Sequence, residues 1–269
     1  MDHWMEEARK RIIFPLDVSN VDEAQKLVDE LHEHVGMFKV GFEFVTSTYM
    51  NELALDEDDA IKHLKKRRKL FRAICGHEFW DGKFNDIPNT VGAASVVLGS
   101  YGVNMFNVHA SAGLEAVKAA VAQKGNSKVL GVTVLTSLKD ECVSIFGKEP
   151  ADAVVQFAFL LKDAGADGII CSPEEVTALR QHPRLDHMLL VVAGVRPLWA
   201  SNDDQKRVMT PSEAICAGAD YLVTGRPIRK PPAEIGTPVE AAKRIADEVA
   251  GLLKQNIVHI ACHYRGGIK

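Results

Sequence analysis

Three charged residues at the spacing D-x-K-x-x-D end an otherwise apolar stretch of the sequence. Asp81, Lys83 and Asp86 follow Phe79 and Trp80, in a segment whose composition predicts a buried strand. Residues two apart in a strand point to the same face, so Asp81 and Lys83 are expected to project together. A structural salt-bridge ladder is one interpretation, but buried ion pairs stabilise proteins weakly compared with apolar packing. The pattern therefore favours a functional array.

The elements that must position this array are eight short apolar or β-branched runs separated by segments of helical periodicity. Strict alternation of strand and helix predicts a parallel sheet. Eight such units predict closure into an α/β fold, the (β/α)8 TIM barrel, and an open doubly wound sheet is the alternative. The predicted strands are residues 12–17, 37–41, 78–83, 103–109, 128–134, 168–171, 188–193 and 221–224.

The length of 269 residues fits one barrel, and no low-complexity linker divides the chain. We therefore predict a single domain over residues 1–269, with a charged helical insertion at about 47–74 and a C-terminal extension at about 256–269. The insertion joins acidic residues 56–59 to basic residues 62–69. We interpret it as a solvated helix, and a nucleic-acid or localisation patch is the alternative.

Composition narrows the class of protein further. With 46% hydrophobic and 25% charged residues, the chain resembles an ordinary soluble globular protein. A net charge of −4 argues against a general nucleic-acid binder. The five cysteines are odd in number and lack C-x-x-C spacing, which is typical of a reduced cytoplasmic protein. A charged N-terminus and the lack of a long apolar run argue against secretion and membrane insertion.

In a barrel of this type the reactive groups lie at the C-terminal ends of the strands. Gly225 and Arg226 follow the eighth predicted strand and are the best candidates for a phosphate site, because backbone N–H groups and a helix N-terminus often meet phosphate there. The polar loop 196–209 is a candidate lid. His109 and Ser111 lack the G-x-S-x-G turn of a nucleophile, and no zinc or nucleotide-cofactor motif occurs. The other candidates at strand ends are Asp17, Lys39, Asp81, Lys83, Thr136, Ser137 and Arg196.

Several segments, in order along the chain, together resemble the orotidine 5'-phosphate decarboxylase family. The D-x-K-x-x-D element alone also occurs in related sugar-phosphate barrels, but the I-P-N-T extension and the G-V-R-P loop with Gln205 make the resemblance specific. Asn85 and the pair 192–193 depart from common family residues without removing a catalytic one. The segments are 15–18 (PLDV), 38–41 (FKVG), 81–90 (DGKFNDIPNT), 108–111 (VHAS), 135–137 (LTS), 194–197 (GVRP), 204–207 (DQKR) and 224–227 (TGRP).

The resemblance implies decarboxylation of orotidine 5'-phosphate to uridine 5'-phosphate in pyrimidine biosynthesis, without a metal or organic cofactor. It makes Lys83 the proton donor and places Asp81 near the departing carboxylate. Lys39 and Asp86 would hold Lys83 charged and aimed. Two rivals stay open: a magnesium-dependent sugar-phosphate aldolase or decarboxylase, and a nucleotide-binding barrel without turnover.

The same resemblance distributes the substrate contacts over two subunits. Asp17 and Lys39 would contact the ribose, and Thr136 and Ser137 would approach the pyrimidine. Asp86, Ile87 and Thr90 would enter the site of a partner, which implies a homodimer with shared active sites. The residues implied to grip the phosphate are Arg196, Gln205, Gly225 and Arg226.

Overall fold

Eight parallel strands close into a barrel, in sequence order, in the residues that the computed structural model describes, 2–138, 141–200 and 209–265. The predicted (β/α)8 barrel is confirmed, and the open sheet is wrong. All eight strands begin and end within two residues of the predicted bounds. The strands are β1 (Ile12–Pro15), β2 (Met37–Val40), β3 (Glu78–Phe84), β4 (Met105–His109), β5 (Lys128–Val132), β6 (Gly168–Cys171), β7 (Leu189–Ala193) and β8 (Tyr221–Val223).

Helices follow every strand in these residues and cover the outside of the barrel. Apolar side chains on their inner faces pack against the outward-facing side chains of the strands, such as Phe14, Phe38 and Phe106. The helices are α1 (His3–Lys10), α2 (Val21–Leu31), α3 (Phe42–Leu53), α4 (Glu57–Ala73), α5 (Pro88–Ser100), α6 (Leu114–Gln123), α7 (Cys142–Phe146), α8 (Pro150–Asp163), α9 (Pro173–Gln181), α10 (Pro211–Ala217), α11 (Arg226–Arg229) and α12 (Pro238–Arg265).

Two Ala-Gly-Ala-Asp segments connect helices to the following strands. Gly165 and Gly218 have φ values of 83° and 111°, which glycine adopts without the strain that a Cβ would bring. The carboxylates of Asp167 and Asp220 then accept hydrogen bonds from backbone N–H groups at the starts of β5 and β7, at 2.7 and 2.8 Å. The repeats therefore end helices and fix strand starts.

The barrel interior begins with an apolar layer. Side chains alternate along each strand, so every second residue points inward. The buried inward side chains of this layer pack together as one cluster, separate from the packing between strands and helices. The layer closes the lower part of the barrel and leaves the C-terminal ends of the strands for polar groups. Its members are Ile13, Met37, Phe79, Met105, Leu130 and Val191.

The region predicted as a charged insertion contains most of α3 and all of α4. Asp56 caps α4 by accepting a hydrogen bond from the backbone N–H of residue 59, at 3.0 Å. Two of the basic side chains of α4 form ion pairs with acidic side chains on neighbouring helices: Lys66 with Asp22 at 2.8 Å and Arg67 with Glu52 at 3.0 Å. Lys66 and Arg67, two residues of the basic segment 62–69, therefore have a structural role.

Helix α12 contains 28 residues and continues past residue 256, where the C-terminal extension was predicted to begin. Its buried residues pack on α1, α2, α10 and α11. Within the described part of the chain, no helix combines the length and the apolar character needed to cross a membrane.

Candidate active site

The next layer of the barrel interior is polar. Lys39, Asp81 and Asn107 each lie two residues beyond a member of the apolar layer, on the adjacent strands β2, β3 and β4. Strand alternation therefore points all three side chains inward, one layer nearer the C-terminal mouth. Asp17 joins them from just beyond the end of β1.

Ion pairs connect four of the predicted residues into one array. Lys39 Nζ lies 3.2 Å from Asp17 Oδ1 and 3.0 Å from Asp81 Oδ2. Lys83 Nζ lies 2.8 Å from Asp81 Oδ1. The carboxylate of Asp81 is thus held between two ammonium groups, and the charges of the four side chains balance.

The array keeps Lys39 and Asp81 charged. Burial favours neutral Lys39, but the negative charges of Asp81 and Asp17 outweigh it and hold the pKa of Lys39 above its usual value. Burial likewise opposes ionisation of Asp81, but Lys39 and Lys83 outweigh it and hold the pKa of Asp81 below its usual value. At neutral pH, Asp81 is therefore an anion and Lys39 a cation.

A bulge in β3 places Lys83. Trp80 pairs with Phe106 of β4 and Phe84 pairs with Val108, so three residues of β3 lie opposite one residue of β4. Lys83 has a φ of 41°, and it is the one non-glycine residue with positive φ in the described residues. Such backbone conformations cost free energy and cluster at functional sites.

Asn107 is the single residue of β4 opposite the bulge, and it is fully buried. Its Nδ2 donates to Asp81 Oδ1 at 2.6 Å, and its Oδ1 accepts from the backbone N–H of Lys83 at 2.6 Å. These partners fix the orientation of the amide, because only its oxygen can accept from the N–H.

A cationic pocket of about 480 Å³ lies beside the array, after β7 and β8. Its lining includes three cations, Arg196, Arg226 and Lys230, and one acid, Glu234, together with Trp199. Gly225 precedes α11, and a Cβ there would lie 2.7 Å from the Cγ of Pro15, so the close approach of the chain requires glycine. Gln205, the remaining predicted phosphate residue, lies outside the described residues.

Comparison with known proteins places this chain in a family. The model of the "Orotidine 5'-phosphate decarboxylase / HUMPS family" matches residues 10–245. This chain belongs to that family.

Relatives in the orotidine 5'-phosphate decarboxylase / HUMPS family match nearly the whole chain. The orotidine 5'-phosphate decarboxylase of Geotalea uraniireducens (strain Rf4) is 42% identical over 254 residues, which cover 91% of this chain and 97% of that protein. The enzyme of that name from Heliobacterium modesticaldum is 41% identical over 258 residues, covering 91% and 97%. Both relatives carry the name of the decarboxylase.

A solved structure agrees with this assignment. The crystal structure of orotidine 5'-phosphate decarboxylase from Lactobacillus acidophilus is 29% identical, has a TM-score of 0.69, and covers 88% of this chain and 98% of that chain. The likeness therefore extends over most of this chain and nearly all of that one.

The family's expected partner-site residues do not join the array within this chain. Asp86, Ile87 and Thr90 are exposed and lie between β3 and the first turn of α5. Asp86 Oδ1 accepts from the backbone N–H of Ile87 at 2.7 Å. Within this chain, Asp81 and Lys83 of the D-x-K-x-x-D element therefore belong to the array, whereas Asp86 does not.

The expected pyrimidine contacts lie in a turn after β5. Thr136 and Ser137 are exposed there, beside a hydrogen bond from the backbone N–H of Leu138 to the carbonyl of Leu135. Neither side chain joins the charged array in the described contacts.

His109 and Ser111 form a pair at the end of β4. His109 Nδ1 lies 2.8 Å from Ser111 Oγ. Burial and then the charge of Lys83 lower the pKa of His109, which favours a neutral ring beside the array. The geometry fits a pocket contact better than a nucleophile.

Two residues of the site were not among the sequence candidates. Asn107 could have been found as a polar residue inside the apolar strand β4, followed two positions later by His109. Arg229 of α11 donates through Nη1 to the backbone carbonyl of Asp17 and so ties the end of α11 to the segment that carries Asp17. An arginine in a helix of four residues gives no comparable sequence signal.

Proposed function

We propose that this protein converts orotidine 5'-phosphate to uridine 5'-phosphate and carbon dioxide. The observation that carries the proposal is the array of Lys39, Asp81 and Lys83 at the C-terminal mouth of the barrel, next to a cationic pocket. The family match and the names of the relatives support the same reaction.

The chemistry needs a proton donor near a developing carbanion. Breaking the bond between ring carbon six and the carboxylate releases carbon dioxide and leaves the electron pair on that carbon. Lys83 would stabilise this charge electrostatically and then deliver a proton from Nζ. The resulting amine regains a proton from solvent, and Lys83 is one-third exposed.

Asp81 would act on the substrate carboxylate by charge repulsion. Two like charges about 4 Å apart repel by roughly 4 kcal/mol at an effective dielectric of about 20. Enzymes typically lower barriers by about 8–23 kcal/mol, so repulsion supplies part of the effect. The lowered pKa of Asp81 ensures that the repelling charge is present at neutral pH.

Binding of the remote phosphate would supply much of the remainder. Arg196, Arg226 and the backbone at Gly225 are the proposed contacts, together with Gln205 from the loop expected to close over the site. Closure would convert phosphate binding energy into correct placement of the pyrimidine against Lys83. Asp17 and Lys39 would hold the ribose, and Thr136 and Ser137 the base.

The assembly we propose is a homodimer in which Asp86, Ile87 and Thr90 complete the partner's site. Their exposure supports this, as does the exposed apolar surface of the neighbouring helix α5, where Val96 and Val97 are about half exposed. Mixing two inactive variants, Lys83→Ala and Asp86→Asn, tests the arrangement. A mixed dimer has one site with both native residues, so mixing should restore activity that neither variant has alone. Failure to restore it under conditions that exchange subunits would refute the shared site.

The cytoplasm is the proposed compartment, and no nucleic acid or membrane is a proposed partner. A biosynthetic family and cysteines without C-x-x-C spacing support this location. Cell fractionation with a tagged chain would test it.

One observation separates this reaction from the magnesium-dependent rivals. The Nζ of Lys39 lies between the carboxylates of Asp17 and Asp81, where a bridging cation would have to bind. Loss of orotidine 5'-phosphate absorbance, followed with and without EDTA, is the test. Turnover that needs magnesium would favour the rival.

The role of Lys83 is tested by Lys83→Ala. We expect decarboxylation to be abolished while a uridine 5'-phosphate analogue still binds, because the phosphate contacts lie elsewhere. Undiminished turnover would refute the proton-donor role, and tight binding without turnover in the wild type would favour the non-catalytic alternative.

A further inference from the structure

Asn107 is a buried amide placed where the two catalytic side chains meet. It is fully buried, at the level of the β3 bulge and one strand away from it. A buried amide must find hydrogen-bond partners or lose free energy. Both partners of Asn107 belong to the catalytic array: the carboxylate of Asp81 and the backbone N–H of Lys83.

The bond to the backbone of Lys83 stabilises an unfavourable conformation. A φ of 41° at a residue with a long side chain persists only where the surroundings enforce it. The bulge also takes the N–H of Lys83 out of regular pairing with β4. Among the described contacts, the Oδ1 of Asn107 is the acceptor for this N–H, at 2.6 Å.

The bond to Asp81 completes the fixation of its carboxylate. Oδ1 of Asp81 accepts from both Lys83 Nζ and Asn107 Nδ2, and Oδ2 accepts from Lys39 Nζ. With three donors the carboxylate plane is set. Without Asn107 it is held by two flexible lysine side chains, and the backbone that carries Lys83 is released at the same time.

We propose that Asn107 is a positioning residue for decarboxylation, acting on the direction of Asp81 and Lys83 at once. This inference rests on the proposed function. A displacement of about 1 Å can cost a reaction about 100-fold in rate. Loss of a hydrogen bond to a charged group costs about 10-fold or more.

The test compares Asn107→Ala with Asn107→Asp and with the control Asn104→Ala. Asn104 lies immediately before β4, at the opposite end of the barrel from the array, and donates to the carbonyl of Gly76 at 3.2 Å. We expect Asn107→Ala to lower kcat about 10- to 100-fold with KM changed less than about threefold. Asn104→Ala should keep kcat within about twofold of the wild type.

Asn107→Asp separates positioning from simple filling of space. The new side chain has the same shape and can still accept from the N–H of Lys83, but it faces Asp81 with a second carboxylate. One proton shared by the two acids would imitate the amide donor, and losing it would create repulsion. The ratio of its kcat to that of the wild type should therefore fall as pH rises. A ratio that stays near one at every pH would overturn the proposal.

A crystal structure of each Asn107 variant decides the inference independently of turnover. We expect the Lys83 Nζ to Asp81 Oδ1 contact of 2.8 Å to be lost or redirected in Asn107→Ala. An unchanged contact would overturn the proposal, as would an Asn107→Ala enzyme with wild-type kcat. A wild type without turnover would instead refute the proposed function, and the variant structures would still decide the role of Asn107. Should Asn107→Ala not fold, the pH profile and structure of Asn107→Asp decide.

Discussion

Replacing Lys39 by methionine removes the cation shared by two carboxylates while keeping most of the side-chain volume. Lys39 lies 3.0 Å from Asp81 and 3.2 Å from Asp17, and its side chain is 13% exposed. Each attraction amounts to about 5 kcal/mol at an effective dielectric of about 20, but taking the ammonium out of water costs several kcal/mol. Breaking a buried pair by removing one partner costs roughly 3–5 kcal/mol. Because the side chain of Asp17 is about half exposed, we expect a loss near the lower end, about 3 kcal/mol.

The loss of stability in Lys39→Met should depend on pH in a defined direction. The pKa of Asp81 is held below its usual 3.8, so its ionisation stabilises the fold above that value, and this stabilisation disappears as pH falls through the folded-state pKa. Removing Lys39 raises the pKa of Asp81 toward the unfolded value. The gap in unfolding free energy between wild type and Lys39→Met should therefore be full near pH 7 and narrow below about pH 4.

Urea unfolding at equal protein concentration measures this gap, since the proposed dimer would make stability depend on concentration. The matched control is Lys26→Met. The side chain of Lys26 is 75% exposed, and its Nζ lies 3.9 Å from Glu30. The substitution should change stability by less than about 0.5 kcal/mol. A Lys39→Met protein as stable as the wild type at neutral pH, or a gap that does not narrow in acid, would refute the reasoning.

Two further substitutions probe β3. In Gly82→Ala the new Cβ would lie 2.9 Å from both the Nε1 of Trp80 and the Cε1 of Phe84. We therefore expect the free energy of unfolding, measured with urea, to fall by about 1–3 kcal/mol and kcat to be lower. Unchanged values of both would contradict the tight packing of the bulge. Glu78 is buried at the start of β3, and this burial raises its pKa above the usual 4.5, so its ionisation at high pH opposes folding. Glu78→Gln should therefore be more stable than the wild type near pH 8, and this gain in stability should vanish near pH 4. A gain independent of pH would argue against ionisation as its cause.

The barrel was predictable because its strands are short, apolar and separated by clear helix signals. The predicted strand ends differ from the observed ones where a polar or conformationally special residue extends the apolar run. The first predicted strand ends at Asp17, but the observed pairing stops at Pro15. The third did the reverse, since pairing resumes at Phe84 beyond the bulge. Hydrophobic pattern thus located each strand, whereas backbone hydrogen bonding set its end.

The array was predictable in composition but not in arrangement. Asp17, Lys39, Asp81 and Lys83 could be picked out because charged residues at the ends of apolar strands are costly. Their pairing depends on register between strands, which one sequence does not display. Asn107 was missed because asparagine within a strand carries no charge to attract notice, although its burial makes its two hydrogen bonds obligatory.

The bulge explains how one strand can supply two adjoining charged groups of the proposed active site. In a regular strand, inward side chains two residues apart lie about 6.6 Å apart along the strand, in successive layers of the barrel. Between Trp80 and Phe84, however, β3 advances four residues while β4 advances two, from Phe106 to Val108. The extra residues lie in the bulge, where Lys83 has a φ of 41°, and its Nζ lies 2.8 Å from Asp81 Oδ1. A barrel with the same acid and lysine on an unbulged strand would have the residue types of this site without its geometry.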